Sequence, residues 1–170
     1  MTPTLYWITY DSPGRLAIVA RPRGYDWLED ELDGLSQAGV DVLISLLTSE
    51  ENIELGLEAE QDLSQQRGLT FIGFAIKDYD VPSSLSNFAR LVEQINEQLS
   101  RGKTVAVHCR QSIGRSSVLV ACLLAISNEN VDECFKVVAS CRRTVVPDTK
   151  EQEAWVRNFA RECNLQSLNR

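Results

Sequence analysis

The sequence predicts an α/β domain: a mostly parallel central sheet with helices on both faces. Three observations predict it. Short apolar, β-branched runs alternate with segments whose apolar residues recur at helical spacing. The helices between those runs imply crossover connections, which pair strands in parallel. The segment after Gly114 is apolar nearly all round, as a deeply buried helix should be.

The elements follow in order. Residues 5–9 and 16–20 flank Asp11-Ser12-Pro13-Gly14, a turn sequence, and predict a β-hairpin. Trp27, Leu28, Leu32 and Leu35 fall at helical spacing, and Gly39 would end that helix. Residues 40–47 read as a buried strand, 50–66 as one charged helix ending near Gly68, and 69–76 as another strand. Pro82-Ser83 opens a helix whose buried stripe is Leu85, Phe88, Leu91, Val92, Ile95 and Leu99, and Gly102 closes it. A strand over 104–107 and helices over 114–127, 131–140 and 150–163 complete the pattern, with 167–170 as a frayed tail. No repeat, low-complexity tract or linker interrupts it, so residues 1–170 are expected to form one domain.

Composition narrows the class. The chain has 170 residues, 44% hydrophobic and 24% charged, as in an ordinary globular protein. A net charge of −7 disfavours nucleic acid and anionic membrane as partners. No basic stretch followed by a long apolar one opens the chain, and the apolar run 118–126 is too short to span a bilayer, so a cytoplasmic location is expected. The 5 cysteines lack a CxxC pair, and there is 1 histidine, which argues against structural zinc. Cys122, Cys134, Cys141 and Cys163 read as small core residues, although one of them could rescue an oxidised Cys109 through a disulfide. Arg21 and Arg23, Arg110 and Arg115, and Arg142 and Arg143 fall on loops that the fold could gather at one end. A basic pocket there would suit a phosphorylated substrate. For all but Arg115, solvated surface arginines are an equal reading.

The chemistry concentrates in His108-Cys109-Arg110-Gln111-Ser112-Ile113-Gly114-Arg115-Ser116. A strand-to-helix bend of this length can form a cup of backbone N–H groups around one sulfur. Such a nest with a helix N-terminus binds an oxyanion, and the same positive end favours a thiolate. A thiolate under a bound phosphate is a nucleophile aimed at phosphorus. Arg115 offers a planar fork for two phosphate oxygens, and Gly114 lets the backbone enter the helix without a Cβ in the way.

At these residues the chain resembles the cysteine-dependent protein phosphatases, whose signature is His-Cys, five residues, then Arg and Ser or Thr. His108, Cys109, Arg115 and Ser116 fill it. The resemblance runs from about Leu16 to Phe159 and is nearest the compact dual-specificity type, in its bacterial and kinase-associated-phosphatase-like branch. It implies Cys109 as nucleophile and Arg115 as the phosphate fork. Arg110, Gln111, Ser112, Ile113 and Gly114 would bind phosphate through backbone N–H groups. It implies that His108 shapes the cup and that the Ser116 hydroxyl stabilises the departing thiolate; a serine bonding the backbone in the first helical turn is the alternative for Ser116.

The resemblance also implies a general acid on a loop between a strand and a proline. Asp78-Tyr79-Asp80-Val81-Pro82 fits. Asp78 matches the placement best, Asp80 is its rival, and an ordinary Asp- and Pro-containing turn is the third reading. After donating its proton, Asp78 as a carboxylate would activate water in the second step. Gln152 matches a position that helps to place that water, but Thr149-Lys150-Glu151-Gln152 is equally a capping box.

The implied function is removal of phosphate from phosphotyrosine in proteins, through a phosphocysteine intermediate, with phosphotyrosine alone and phosphotyrosine together with phosphoserine and phosphothreonine as the two open readings. Neither metal nor cofactor is needed, and the enzyme is expected to act as a monomer. A phosphoinositide or nucleotide-phosphate phosphatase is the nearest rival; the absence of lysine in the loop weighs against inositol lipids, while Arg110 keeps them in play. A rhodanese-like sulfurtransferase and an inactive phosphopeptide-binding module stand further off.

Overall fold

The expected hairpin, crossovers and doubly covered sheet are all present in the computed structural model, which describes residues 2–127 and 130–168. The strands are β1 (Leu5–Trp7), β2 (Arg15–Val19), β3 (Val42–Ser45), β4 (Thr70–Gly73) and β5 (Thr104–His108). They form one sheet in the order β1-β2-β5-β3-β4. Among the described residues only the β1–β2 hairpin pair is antiparallel; β2–β5, β5–β3 and β3–β4 are parallel. Strand β5 therefore lies in the middle, and its C-terminal end is a protected place for a loop.

Alternation along the central strands sends side chains to two cores. Leu16, Ile18, Val42, Ile44, Val105 and Val107 face the larger one. There α4 (Leu85–Ser100), α5 (Gly114–Ala125), α6 (Val131–Arg142) and α7 (Lys150–Leu168) pack. Phe88 anchors this side, with edge-on contacts to Trp155 and Phe159 at 4.9 and 5.9 Å. Val19, Leu43 and Ala106 face the smaller core, against α1 (Leu28–Gln37), α2 (Ser49–Leu55) and α3 (Glu60–Gln66). Every residue of α5 is buried, as its all-round apolar sequence requires.

Four expectations change. Residues 50–66 are not one helix but α2 and α3, because Gly56 takes a left-handed conformation (φ 65°) that ends α2. Trp27 leaves the buried stripe of α1: it is 51% exposed and carries the Arg23 guanidinium over its ring at 4.3 Å. Strand β4 covers only Thr70–Gly73 of the expected 69–76, as a half-exposed edge. Helix α7 runs past Cys163 to Leu168, so the expected frayed tail begins within a helix; residues 169 and 170 lie outside the described residues.

Candidate active site

The loop between β5 and α5 begins with Cys109, which is 2% exposed. Its carbonyls are held from outside. Arg142 Nε donates to Ser112 O at 2.7 Å, with its guanidinium stacked on Tyr6 at 3.9 Å. Arg21 Nε donates to Arg110 O at 3.3 Å. Ser112 adopts φ 56°, a left-handed conformation that costs a serine energy, and its Oγ is fixed on Val19 O at 2.7 Å. A left-handed residue within such a loop turns successive N–H groups to one side. Among the described residues, no N–H from 110 to 113 donates to a backbone carbonyl. The outcome is a loop with tied carbonyls and available N–H donors. Gln111 is exposed and Ile113 half-buried against the larger core, so their contribution to the loop is backbone.

Arg115, on the first turn of α5, is 1% exposed. Glu51 grips it with two bonds, Oε2 to Nη1 at 2.7 Å and Oε1 to Nη2 at 2.8 Å. Ile76 O accepts from Nη1 at 2.6 Å, and Asp78 Oδ1 from Nη2 at 3.0 Å. Nε has no partner among the described residues. The fork is thus locked in orientation with one buried donor left to bind something else. Burial works against the charge, yet the Glu51 bonds and the nearby Cys109 and Asp78 raise the Arg115 pKa overall. For Glu51, burial alone would raise the pKa; the bonds from Arg115 and Thr48 outweigh it and hold the carboxyl below its ordinary value.

The two aspartates of residues 77–81, the loop expected to carry the acid, differ. Asp78 reaches Arg115 and also accepts from Tyr79 N at 3.1 Å, where Tyr79 takes φ 60°. Asp80 turns back on its own loop, accepting from Val81 N at 2.8 Å. Gln152 Nε2 donates to Asp80 O at 3.1 Å. The same amide accepts from Asp148 N at 3.0 Å and Thr149 N at 3.3 Å, while Thr149 Oγ1 accepts from Gln152 N. The capping box is therefore formed, and fully buried Gln152 is a strut between the acid loop and the start of α7.

Asp148, on the segment before α7, had no sequence signal of function. Its carboxylate lies close against Gly114. A Cβ added at Gly114 would collide with Asp148 Oδ2, so only glycine allows this approach. Burial first, then the Asp78 charge, push the Asp148 carboxyl above the ordinary aspartate range, against the opposing pull of Arg115.

Beneath Cys109, His108 is fully buried, with Nε2 at 2.9 Å from Glu60 Oε1 and Nδ1 at 3.4 Å from Cys109 O. Ser116 Oγ is buried and has no hydrogen-bond partner among the described residues, so it does not bond the backbone of its helix. The arginine cluster assembles in part. Arg21, Arg110, Arg115 and Arg142 converge on the loop, whereas Arg23 pairs with Glu31 and Arg143 ends α6 in a left-handed conformation. Arg110 is itself offset, by two bonds to Glu54 at 2.6 and 3.1 Å. No disulfide joins the cysteines among the described residues, and burial pushes the Cys122 thiol well up. No cluster that could hold a metal occurs among the described residues, and no helix is long and apolar enough to cross a membrane.

Sequence reasoning missed Glu51, Glu60 and Asp148. Thr48-Ser49-Glu50-Glu51 is a capping box, with Glu51 Oε2 accepting from Thr48 N at 3.0 Å, and would have placed Glu51 at a helix start. No local pattern marks the other two.

A sulfur at the entry to an anion-binding loop, a locked guanidinium and a carboxylate on that guanidinium together suit a phosphoryl group. This arrangement, on a doubly covered parallel sheet, defines the class of cysteine-dependent phosphatases. The chain belongs to the DSP-PTPase phosphatase family, since the family model described as "Polymorphic toxin system, DSP-PTPase phosphatase" matches residues 17–129. It is 32% identical over 108 residues to the zebrafish (Danio rerio) protein tyrosine phosphatase domain-containing protein 1, covering 63% of this chain and 15% of that protein. It is 32% identical over 95 residues to the phosphatidylglycerophosphate phosphatase PTPMT1 of Arabidopsis thaliana, covering 55% of this chain and 28% of that one. The chain thus spans less than a third of the length of these relatives. The crystal structure of kinase associated phosphatase (KAP), with its catalytic-site cysteine replaced by serine, superposes with a TM-score of 0.86 at 16% identity, covering 96% of this chain and 97% of that one.

Proposed function

We propose that this phosphatase acts on phosphorylated proteins, on phosphotyrosine and also on phosphoserine or phosphothreonine, by a two-step, metal-independent route. Cys109 attacks phosphorus and forms a sulfur–phosphorus bond. Asp78 gives its proton to the leaving oxygen. Backbone N–H groups of residues 110–114 and the Arg115 guanidinium, through Nε and, once Asp78 turns to the leaving oxygen, Nη2, hold the equatorial oxygens as charge builds on them. Water then hydrolyses the phosphocysteine. His108 orients the cup through Cys109 O, and Ser116, with an uncommitted hydroxyl, stabilises the departing thiolate. Gln152 keeps the acid loop in register with α7.

The observation that carries this reading is the buried Arg115 fork. It is held by Glu51, bears Asp78 on one nitrogen, and keeps Nε available for an oxyanion. An inactive phosphopeptide-binding module would not need Asp78 on the fork. A sulfurtransferase would need neither Asp78 nor this orientation of Arg115. Asp78 is favoured over Asp80 as the acid because, although each accepts from the N–H of the residue after it, Asp78 alone reaches the Arg115 fork.

The Arabidopsis relative supports a second reading, a lipid phosphate ester. One feature favours protein: Arg110, the one cationic side chain within the loop, is paired with Glu54, which offsets the charge an anionic headgroup would seek there. We further propose a monomer working in the cytoplasm. A phosphopeptide panel run beside phosphoinositide and phosphatidylglycerophosphate vesicles tests the substrate class. Turnover of phosphotyrosyl peptide well above that of every lipid is expected; the reverse order would assign the lipid reading.

A further inference from the structure

We infer that Arg21 and Arg142 are positioning residues for phosphoryl transfer, acting from behind the cup. Each holds and polarises one peptide group whose N–H meets the phosphoryl oxygens, without touching substrate itself. The inference rests on the oxyanion-binding role of residues 110–114 proposed above.

In a trans peptide the carbonyl of one residue and the N–H of the next point in opposite directions. The peptides of the cup are trans. Arg142 Nε donates to Ser112 O at 2.7 Å, so the N–H of the same peptide, on Ile113, points away from Arg142 and into the cup. Arg21 Nε donates to Arg110 O at 3.3 Å and turns the Gln111 N–H inward in the same way. Neither N–H donates to a backbone carbonyl. Between them, Ser112 keeps its left-handed conformation with its Oγ on Val19 O at the end of β2. The arginines are themselves aimed. Arg142 ends α6 and stacks on Tyr6 of β1 at 3.9 Å, and Arg21 Nη1 is fixed on Pro22 O at 3.1 Å.

Charge sets this pair apart from the other arginines of the site. Arg115 is gripped by Glu51 and Asp78, and Arg110 by Glu54. Among the described residues Arg21 and Arg142 form no ion pair, so no carboxylate offsets the charge that each brings to its carbonyl. A charge-assisted bond to a carbonyl draws electron density across the peptide and strengthens its N–H as a donor. Donors aimed and strengthened before the phosphoryl group arrives stabilise the charge that builds on its oxygens without reorganising during the reaction. The shorter bond gives Arg142 the larger share. Arg143 beside it is exposed and bonds neither carbonyl.

The test uses a small aryl phosphate, which carries no second anionic group for an arginine to bind. Arg142→Gln should lower kcat/KM by about 10- to 10²-fold and weaken vanadate inhibition by a comparable factor. Arg21→Gln should cost about threefold, in line with its longer bond. Arg142→Lys keeps a cation without the planar fork and should fall between wild type and the Gln variant, with a loss of at least about threefold; it carries the test if the Gln variant does not fold. Arg143→Gln removes an exposed charge from the same helix end and should stay within about twofold. Amide proton shifts in isotope-labelled protein separate aiming from mere folding. Arg142→Gln and Arg142→Lys should move the Ile113 amide proton upfield, and Arg21→Gln that of Gln111, each leaving the other in place. Wild-type kinetics and vanadate inhibition in the Arg142 variants, an equal loss in Arg143→Gln, or unmoved Ile113 and Gln111 amides would overturn the assignment. If vanadate does not inhibit the wild type, the cup binds no oxyanion, and the reading on which the assignment rests fails with it.

Discussion

The cup loop, residues 109–114, and the acid loop, residues 77–81, meet at Arg115 but are built in opposite ways. In the cup, Cys109, Ser112 and Gly114 are buried, and the carbonyls of Arg110 and Ser112 are tied to arginines from distant segments. In the acid loop, residues 77–80 are exposed, and the links are self-caps, the Arg115 fork and the Gln152 amide. Charge stabilisation calls for donors fixed before the reaction begins, since reorganising them would add to the barrier. Proton transfer calls instead for a group that reaches the leaving oxygen of a substrate entering from solvent. Rigidity belongs to the first task and access to the second.

That contrast can be broken at graded points. Cys109→Ser should reduce turnover to background while retaining the fold, because serine stays protonated where a thiolate is required; phosphate release and thermal melting check both halves. Asp78→Asn should cost roughly 10²–10⁴-fold on esters with basic leaving groups. The loss should shrink sharply on an activated aryl phosphate, as a plot of rate against leaving-group basicity would reveal. Arg115→Lys keeps a charge but loses the fork, and kcat should drop about 10²–10³-fold, with weaker vanadate binding measured by inhibition.

The cup side also predicts a pH-dependent stability. Glu51 is held below its ordinary value of 4.5, so the folded chain gives up that proton more readily than the unfolded chain. Its contribution is therefore present above the ordinary carboxylate range and is lost as pH falls through the lowered folded value. Glu51→Gln should cost roughly 2 kcal/mol at pH 7, softened from a full buried-pair loss because Asp78 and Ile76 O still hold Arg115. The Tm gap to wild type should then close as pH is lowered towards 3 in melting experiments; a gap that widens on acidification would contradict the lowered Glu51. The smallest effect belongs to Asp80→Asn, within about twofold in kcat and without leaving-group dependence, since that carboxylate serves its own loop.

The two loops also differed in how far the sequence exposed them. The cup was legible because its parts are contiguous: the 104–107 strand, the Cys109-to-Arg115 spacing and the apolar helix all lie in one stretch. Asp78 was legible through the strand before it and Pro82 after it, but its choice over Asp80 needed the bond to Arg115. What holds the fork was hidden. Glu51 lies 64 residues from Arg115 and Glu60 lies 48 from His108, within a run that reads locally as a solvated charged helix. Their burial follows from where α2 and α3 pack, and the glycine that separates those helices was passed over. Asp148 was overshadowed by Gln152, whose amide the helix start and acid loop consume.

The central claim is that the preorganised cup delivers phosphate to one sulfur. Its most direct measurement is acid quench during turnover of a phosphotyrosyl peptide, followed by mapping of the labelled enzyme. The account predicts a phosphoryl group on the peptide that carries Cys109, absent from Cys109→Ser. Phosphate on another residue, or turnover by Cys109→Ser at the wild-type rate, would contradict it.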